Sequence, residues 1–229
     1  MAKRKKVSRK KLLKEPDEFF TLSGKLIQLG MQYKKHITYT VGIVVALIVL
    51  FAGYRILSAR SENIAMSLLN QAVAKYEMSI KAAEANQAYQ SVAEDFKKIL
   101  SQYGNKEGGK LAGVIFANIC FDAGEYNSSI ELYGKALNDF ERHPVLYNLI
   151  LSGLGYAHEQ INENERAASY FEKIVASDDQ TLHDEALFNL GVLYEKLGEK
   201  EKSEKAFNQI TSDFPDSMYI DIVRERSAG

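Results

Sequence analysis

The chain has 229 residues, 26% of them charged and 46% hydrophobic, with 29 Lys and Arg against 30 Asp and Glu and a single cysteine, Cys120. One cysteine excludes an intramolecular disulfide framework, and the near-neutral total excludes the strongly basic composition expected of a nucleic-acid-binding domain. The total conceals a division: residues 1–35 hold 11 Lys and Arg against 3 Asp and Glu, a net +8, whereas residues 61–229 hold 16 against 27, a net −11.

The basic arm, residues 1–35, includes Lys3, Arg4, Lys5, Lys6, Arg9, Lys10, Lys11 and Lys14, and passes through an amphipathic segment from Glu18-Phe19-Phe20 to Lys34-Lys35. The nineteen residues His36 to Tyr54 follow without a formal charge. At about 1.5 Å per residue they reach roughly 28 Å as a helix, close to the hydrocarbon thickness of a bilayer. Residues 36–57 are accordingly expected to form a single transmembrane helix, with Arg55 and Arg60 able to snorkel at the far end. The excess of Lys and Arg before the span predicts a cytoplasmic N-terminus and export of the remainder, so the expected location is a bacterial inner membrane with the C-terminal domain in the periplasm. A cleaved secretory signal fits less well, because the basic region is about 35 residues long and Leu57-Ser58-Ala59-Arg60 offers no A-x-A site. Attraction to anionic headgroups accounts for the arm without nucleic acid.

From Ser61 onward helix formers dominate, with only Pro144 and Pro215 interrupting and short Gly, Asn and Asp breaks between segments. The expected fold is all-α: the transmembrane helix, a long connecting helix and degenerate first unit over 58–105, then repeats and a C-terminal cap over 106–229. Three units align at about 110–143, 148–181 and 184–217. The last gives Leu187, Leu190, Gly191 and Tyr194, then Gly198, then Ser203, Phe207 and Ile210, and Pro215. The second gives Leu151, Leu154, Gly155, His158, Asn162, Ala167, Phe171 and Ile174; the first gives Phe116, Ala117, Cys120, Gly124, Ser129, Tyr133 and Ala136. These positions resemble the tetratricopeptide repeat, a helix–turn–helix unit with small residues where its two helices touch and large ones filling the space between them. Gly113 stands where the other units have Leu151 and Leu187. Val92, Phe96 and Ile99 resemble the second helix of a fourth, degenerate unit whose first helix runs about 62–85, and Met218–Arg226 is expected to cap the other end. The resemblance implies a solenoid of three to four helix-turn-helix units.

Candidate chemistry is sparse. Gly104 to Leu111 imitates a phosphate-binding G-x-x-x-x-G-K loop, but Leu111 replaces the Ser or Thr that would hold Mg²⁺, so an inter-helix loop is expected. His36, His143, His158 and His183 have no metal-ligand spacing. Asp178-Asp179 and Asp184-Glu185 read as solvated turn or helix N-terminus residues, and Cys120 as a small buried hydrophobe. No catalytic residue, metal or cofactor is assigned, and an interaction protein is expected rather than an enzyme.

If the units stack as the resemblance implies, their first helices line a groove through Val114, Asn118, Phe121 and Asp122, then Ser152, Tyr156 and Glu159, then Phe188, Val192 and Glu195. Aromatic, apolar and acidic groups together suit a basic and hydrophobic peptide; the alternative is that the apolar members pack against the next unit. The whole arrangement, with a basic arm, a span ending in Ala52-Gly53-Tyr54-Arg55 and an exported repeat domain, resembles the YfgM-like family of ancillary SecYEG translocon subunits. That resemblance implies a role beside the export channel, passing newly exported chains to periplasmic chaperones. The alternative is a scaffold for another envelope complex, such as outer-membrane assembly, cytochrome maturation or cell-wall synthesis.

Overall fold

The structure, a computed structural model, describes residues 18–228, and those residues are helical throughout apart from short connections. The basic residues Lys3 to Lys14 lie outside this range. The helices are α1 (Glu18–Gln32), α2 (Lys34–Ala82), α3 (Ala85–Tyr103), α4 (Glu107–Asp122), α5 (Tyr126–Asp139), α6 (Pro144–Gln160), α7 (Asn164–Val175), α8 (His183–Lys196), α9 (Lys200–Asp213) and α10 (Ile220–Ala228). The chain divides into two units between Ser58 and Ala59.

In the first unit α1 leads through Tyr33 into α2, whose apolar run Ile37 to Leu57 is exposed along its length. α2 is long and apolar enough to cross a membrane, and none of its most apolar stretch is buried. A core helix of a soluble protein would have that stretch covered. α2 runs unbroken from Lys34 to Ala82, so the apolar run and the helix that follows it are one element.

In the second unit α4/α5, α6/α7 and α8/α9 form antiparallel pairs, each held by a turn that the sequence dictates. Gly124 (φ 81°), Asn162 (φ 63°) and Gly198 (φ 75°) are the positive-φ residues of the described chain, one at each turn between paired helices. At each, two backbone hydrogen bonds close the helix end: Glu125 N–H to Cys120 O at 2.8 Å with Gly124 N–H to Phe121 O at 3.0 Å, and the equivalents at Asn162-Glu163 and Gly198-Glu199. This double bond pattern needs a left-handed residue, which Gly provides without strain and Asn with little. Pro144 opens α6, where its missing N–H costs nothing.

Packing within pairs follows the expected division between small and large residues. A methyl group added to Gly155 would lie 2.6 Å from the Phe171 ring, and one added to Gly191 would strike Phe207. The absent side chains thus admit rings that are fully or almost fully buried. Leu151, Ala167, Phe171, Ile174, Leu187, Leu193 and Ile210 form one core with Val223 of α10; Ala117, Tyr133, Ala136, Phe140, Ile150 and Leu154 form a second. Leu69 and Ala72 of α2 pack with Val92, Phe96 and Ile99 of α3 and with Phe116 and Cys120 of α4. Phe96 and Phe116 stack at 5.0 Å between centroids.

One boundary differs from expectation. The imitation phosphate loop is a connection only from Gly104 to Lys106, and Glu107 to Leu111 already belong to α4. The free N–H groups of Glu107 and Gly108 donate to the Glu62 carboxylate at 3.1 and 2.8 Å, so a protein carboxylate fills the place an anion would take at a helix N-terminus. Gly108 is there because α2 passes close by: an added methyl would lie 2.8 Å from Met66 N.

Candidate functional site

The first helices of successive pairs, α4, α6 and α8, carry the ten candidate groove residues, and each residue has a definite environment. On α4, Val114 packs against the second core, Phe121 meets Tyr126 edge-on at 5.4 Å, and Asn118 accepts a hydrogen bond from the Tyr133 hydroxyl. Asp122 accepts from Tyr76 of α2 at 3.4 Å. Burial holds the Asp122 carboxyl above the ordinary carboxylate range, opposed by that hydrogen bond.

The densest network joins α6 to α8. Ser152 Oγ and Tyr156 Oη both donate to Glu185 Oε1, at 3.0 and 2.9 Å, and Asn189 Nδ2 donates to Tyr156 Oη at 2.9 Å. Burial, with the Glu185 charge beside it, pushes the Tyr156 phenol upward, so it remains a proton donor. Tyr156 also meets the Phe171 ring at 5.3 Å. The outer groups pair by charge: Lys196 with Glu159 at 2.6 Å and Arg226 with Glu195 at 2.5 Å. Phe188 stacks on Tyr219 at 4.5 Å, and Val192 packs into the main core.

Tyr156 and Phe188 therefore each serve an inter-helix contact, and the polar candidates Ser152, Glu159 and Glu195 are tied to side chains two helices on, Ser152 and Glu159 to α8 and Glu195 to α10. Glu185 and Asn189 are network members that sequence reading did not assign to the groove; Glu185 reads as a solvated helix-start residue, yet it accepts two hydrogen bonds across α6. Its neighbour Asp184 accepts from Ser217 at 2.7 Å. The face also exposes two apolar residues that sequence reading passed over, Val145 and Leu149, each 47% exposed. Their spacing to Ser152 and Tyr156 (i, i+4, i+7, i+11) puts all four on one stripe of α6. That spacing was the signal available.

The second-helix side has its own relief. A cavity of about 360 Å³ lies between α7 and α9 over Leu187 and Leu190 of α8, with Lys202 and Lys205 at its rim. At the equivalent place between α3 and α5, a cavity of about 220 Å³ is lined by Leu100, Gly113 and Leu132. Gly113, in the position of Leu187, adds to that opening. In the middle unit Tyr170 occupies the register of Leu132 and Ala206, stacked on His158 at 5.3 Å.

Among the described residues no group of three or more His, Cys, Asp or Glu is arranged to hold a metal ion. His158 Nδ1 lies 2.7 Å from Glu163 Oε2 and is buried against Tyr170. Cys120 is fully buried, and burial pushes its thiol up to about 12, so at neutral pH it is a packed hydrophobe rather than a nucleophile. Asp179 accepts the Thr181 N–H at 3.0 Å, as a turn residue does.

Residues 116–181 and residues 185–217 match tetratricopeptide repeat family profiles. Among solved structures, the chain resembles a tetratricopeptide repeat protein from Parabacteroides merdae ATCC 43184, with 16% identity and a TM-score of 0.56 over 69% of this chain and 58% of that one. It also resembles MamA, with 20% identity and a TM-score of 0.50 over 69% of this chain and 75% of that one. At these identities the likeness concerns the fold alone. No curated protein matches the chain. Residues 116–181 and 185–217 are thus tetratricopeptide repeats, units whose stacked helix pairs generally act as scaffolds for binding other proteins or peptides.

Proposed function

We propose that this protein is a membrane-anchored, periplasm-facing interaction module that acts by binding and not by catalysis. Residues 36–57 anchor it in the inner membrane with the N-terminus in the cytoplasm, and the repeats engage proteins or peptides outside. Within that reading the role is that of the YfgM-like family it resembles: an ancillary subunit of the SecYEG translocon that links exported chains to periplasmic chaperones. The observation that carries the proposal is the pairing of a wholly exposed apolar run, Ile37 to Leu57, with a repeat stack of net charge −11 on one side and a basic arm of +8 on the other. The binding face is the α4–α6–α8 surface, where Val145 and Leu149 supply exposed apolar contact beside the Tyr156–Glu185 network.

Photocrosslinking in intact cells tests this, with one probe at Val45 and one at Leu149, followed by mass spectrometry. Translocon subunits at Val45 with exported chains or chaperones at Leu149 are the expected products. Capture of one unrelated envelope complex at both positions would replace the translocon role with that of a scaffold for that complex.

A further inference from the structure

α1 is a helix with no protein surface covering the side chains described on it. Ile27, Leu29 and Met31 are 61%, 51% and 68% exposed, and Tyr33 is exposed at its end. In sequence every polar residue but Ser23 falls on one stripe of helix positions, Glu18, Thr21, Lys25, Gln28 and Gln32, while Phe19, Phe20, Leu22, Leu26, Ile27, Leu29 and Met31 take the rest of the circumference. Fifteen residues give a helix of roughly 22 Å, too short to cross a bilayer. It cannot simply lengthen the span either, because Lys34 and Lys35 stand between α1 and the apolar run of α2 and must remain near the headgroups.

We infer that α1 lies in the plane of the membrane, as an amphipathic helix sunk into the anionic headgroup layer on the N-terminal side of the span, with its Thr21–Lys25–Gln28–Gln32 stripe toward water. This inference rests on the anchor reading of residues 36–57. Two features identify an anionic lipid surface as the occupant. The exposed face is continuous in sequence with the segment that enters the bilayer, and it sits within a 35-residue stretch of net charge +8, which complements a negatively charged leaflet. The broad apolar face supplies insertion, and Lys25, Lys34 and Lys35 together with the basic residues 3–14 supply attraction. Two signals together give the stable, oriented attachment that neither gives alone.

Full-length protein is reconstituted into vesicles of phosphatidylethanolamine with one quarter phosphatidylglycerol, carrying a fluorophore on a cysteine placed in turn at Gln28, Leu29 or Val45. The buried Cys120 stays unlabelled. Bromine on the lipid chains should quench the probes at Leu29 and Val45, and aqueous iodide should quench the one at Gln28 several-fold more than the one at Leu29. Replacing phosphatidylglycerol by phosphatidylcholine should reduce lipid quenching at Leu29 and leave Val45 unchanged. Lipid quenching at Val45 with equal iodide quenching at Leu29 and Gln28 overturns the placement of α1 while sparing the anchor. Iodide quenching at Val45 overturns the anchor itself. Protection of Leu29 from iodide without lipid quenching, as packing against a second copy would give, also overturns the inference.

Discussion

Between Ile37 and Leu57 apolar side chains lie exposed on every face of α2, whereas in α6 to α9 the same residue types recur on one face of each helix and are buried. The difference lies in pattern and not in composition. In the repeats, apolar residues at every third or fourth position meet a partner helix, and glycine at Gly155 and Gly191 sets the distance. Between Ile37 and Leu57 no spacing selects a face, so no second helix can satisfy the whole circumference, and a hydrocarbon surround can. The repeats are thus patterned to meet one another in water, and the run for the hydrocarbon surround proposed above.

The largest expected effect comes from Phe171→Ala, which empties the ring space behind Gly155 and should cost about 3–5 kcal/mol of repeat stability in urea denaturation. Phe51→Ala, in the exposed run, should leave that denaturation curve where it is; a matching loss there would abolish the contrast. A charge in the run tests the other solvent. Val45→Arg should raise the cost of insertion by about 2.5–3.5 kcal/mol and move protein into the alkali-extractable fraction, while the repeat domain keeps its unfolding midpoint.

Glu185→Ala leaves the Ser152 and Tyr156 hydroxyls without their shared acceptor, for an expected loss of about 1–3 kcal/mol in the same denaturation assay. Asn162→Ala should cost about 1 kcal/mol, because alanine tolerates φ 63° poorly, and Asn162→Gly should recover it. A gain from the alanine variant would show that the turn does not impose that backbone angle.

The smallest effects concern acid. The hydrogen bond from His158 holds the Glu163 carboxyl below its ordinary range. Its contribution is therefore present above the ordinary carboxylate pKa and is lost as pH falls through the lowered folded value. Asp122, raised by burial, acts with the opposite sign: ionising it weakens the fold, so its cost is absent below the ordinary pKa and complete above the raised one. Melting temperatures of Glu163→Gln and Asp122→Asn across the acid range should shift the pH slope in opposite directions. Parallel slopes would mean that one of the two environments is misassigned.

Much of the fold was legible because repetition makes weak local signals additive. Gly124, Asn162 and Gly198 recur at matching places in three units, and each is found at positive φ. Val92, Phe96 and Ile99 were readable as a degenerate second helix for the same reason. The groove was less legible. Ser152 and Tyr156 reach Glu185 across 33 and 29 residues, and such a bond depends on how successive first helices lie side by side, which no spacing within one unit encodes. The start of α4 was missed on similar grounds, since the carboxylate that receives its first N–H groups is Glu62, on a different helix. Exposed Leu149 was readable in principle, but a leucine on a repeat helix is more often core.

α10 begins at Ile220, 36 residues after the third unit's start at 184, and its Val223 is buried in the register of Leu151 and Leu187. It is thus the opening helix of a further period, only 9 residues long, held by Val223, the Tyr219–Phe188 stack and the Arg226–Glu195 pair. A helix that short has almost no stability of its own, and elements held by few packing contacts open locally before the core does. Amide hydrogen exchange should therefore run fastest in α10. Each opening would bare the Phe188 ring beside Glu195 and turn a closed surface into an aromatic one.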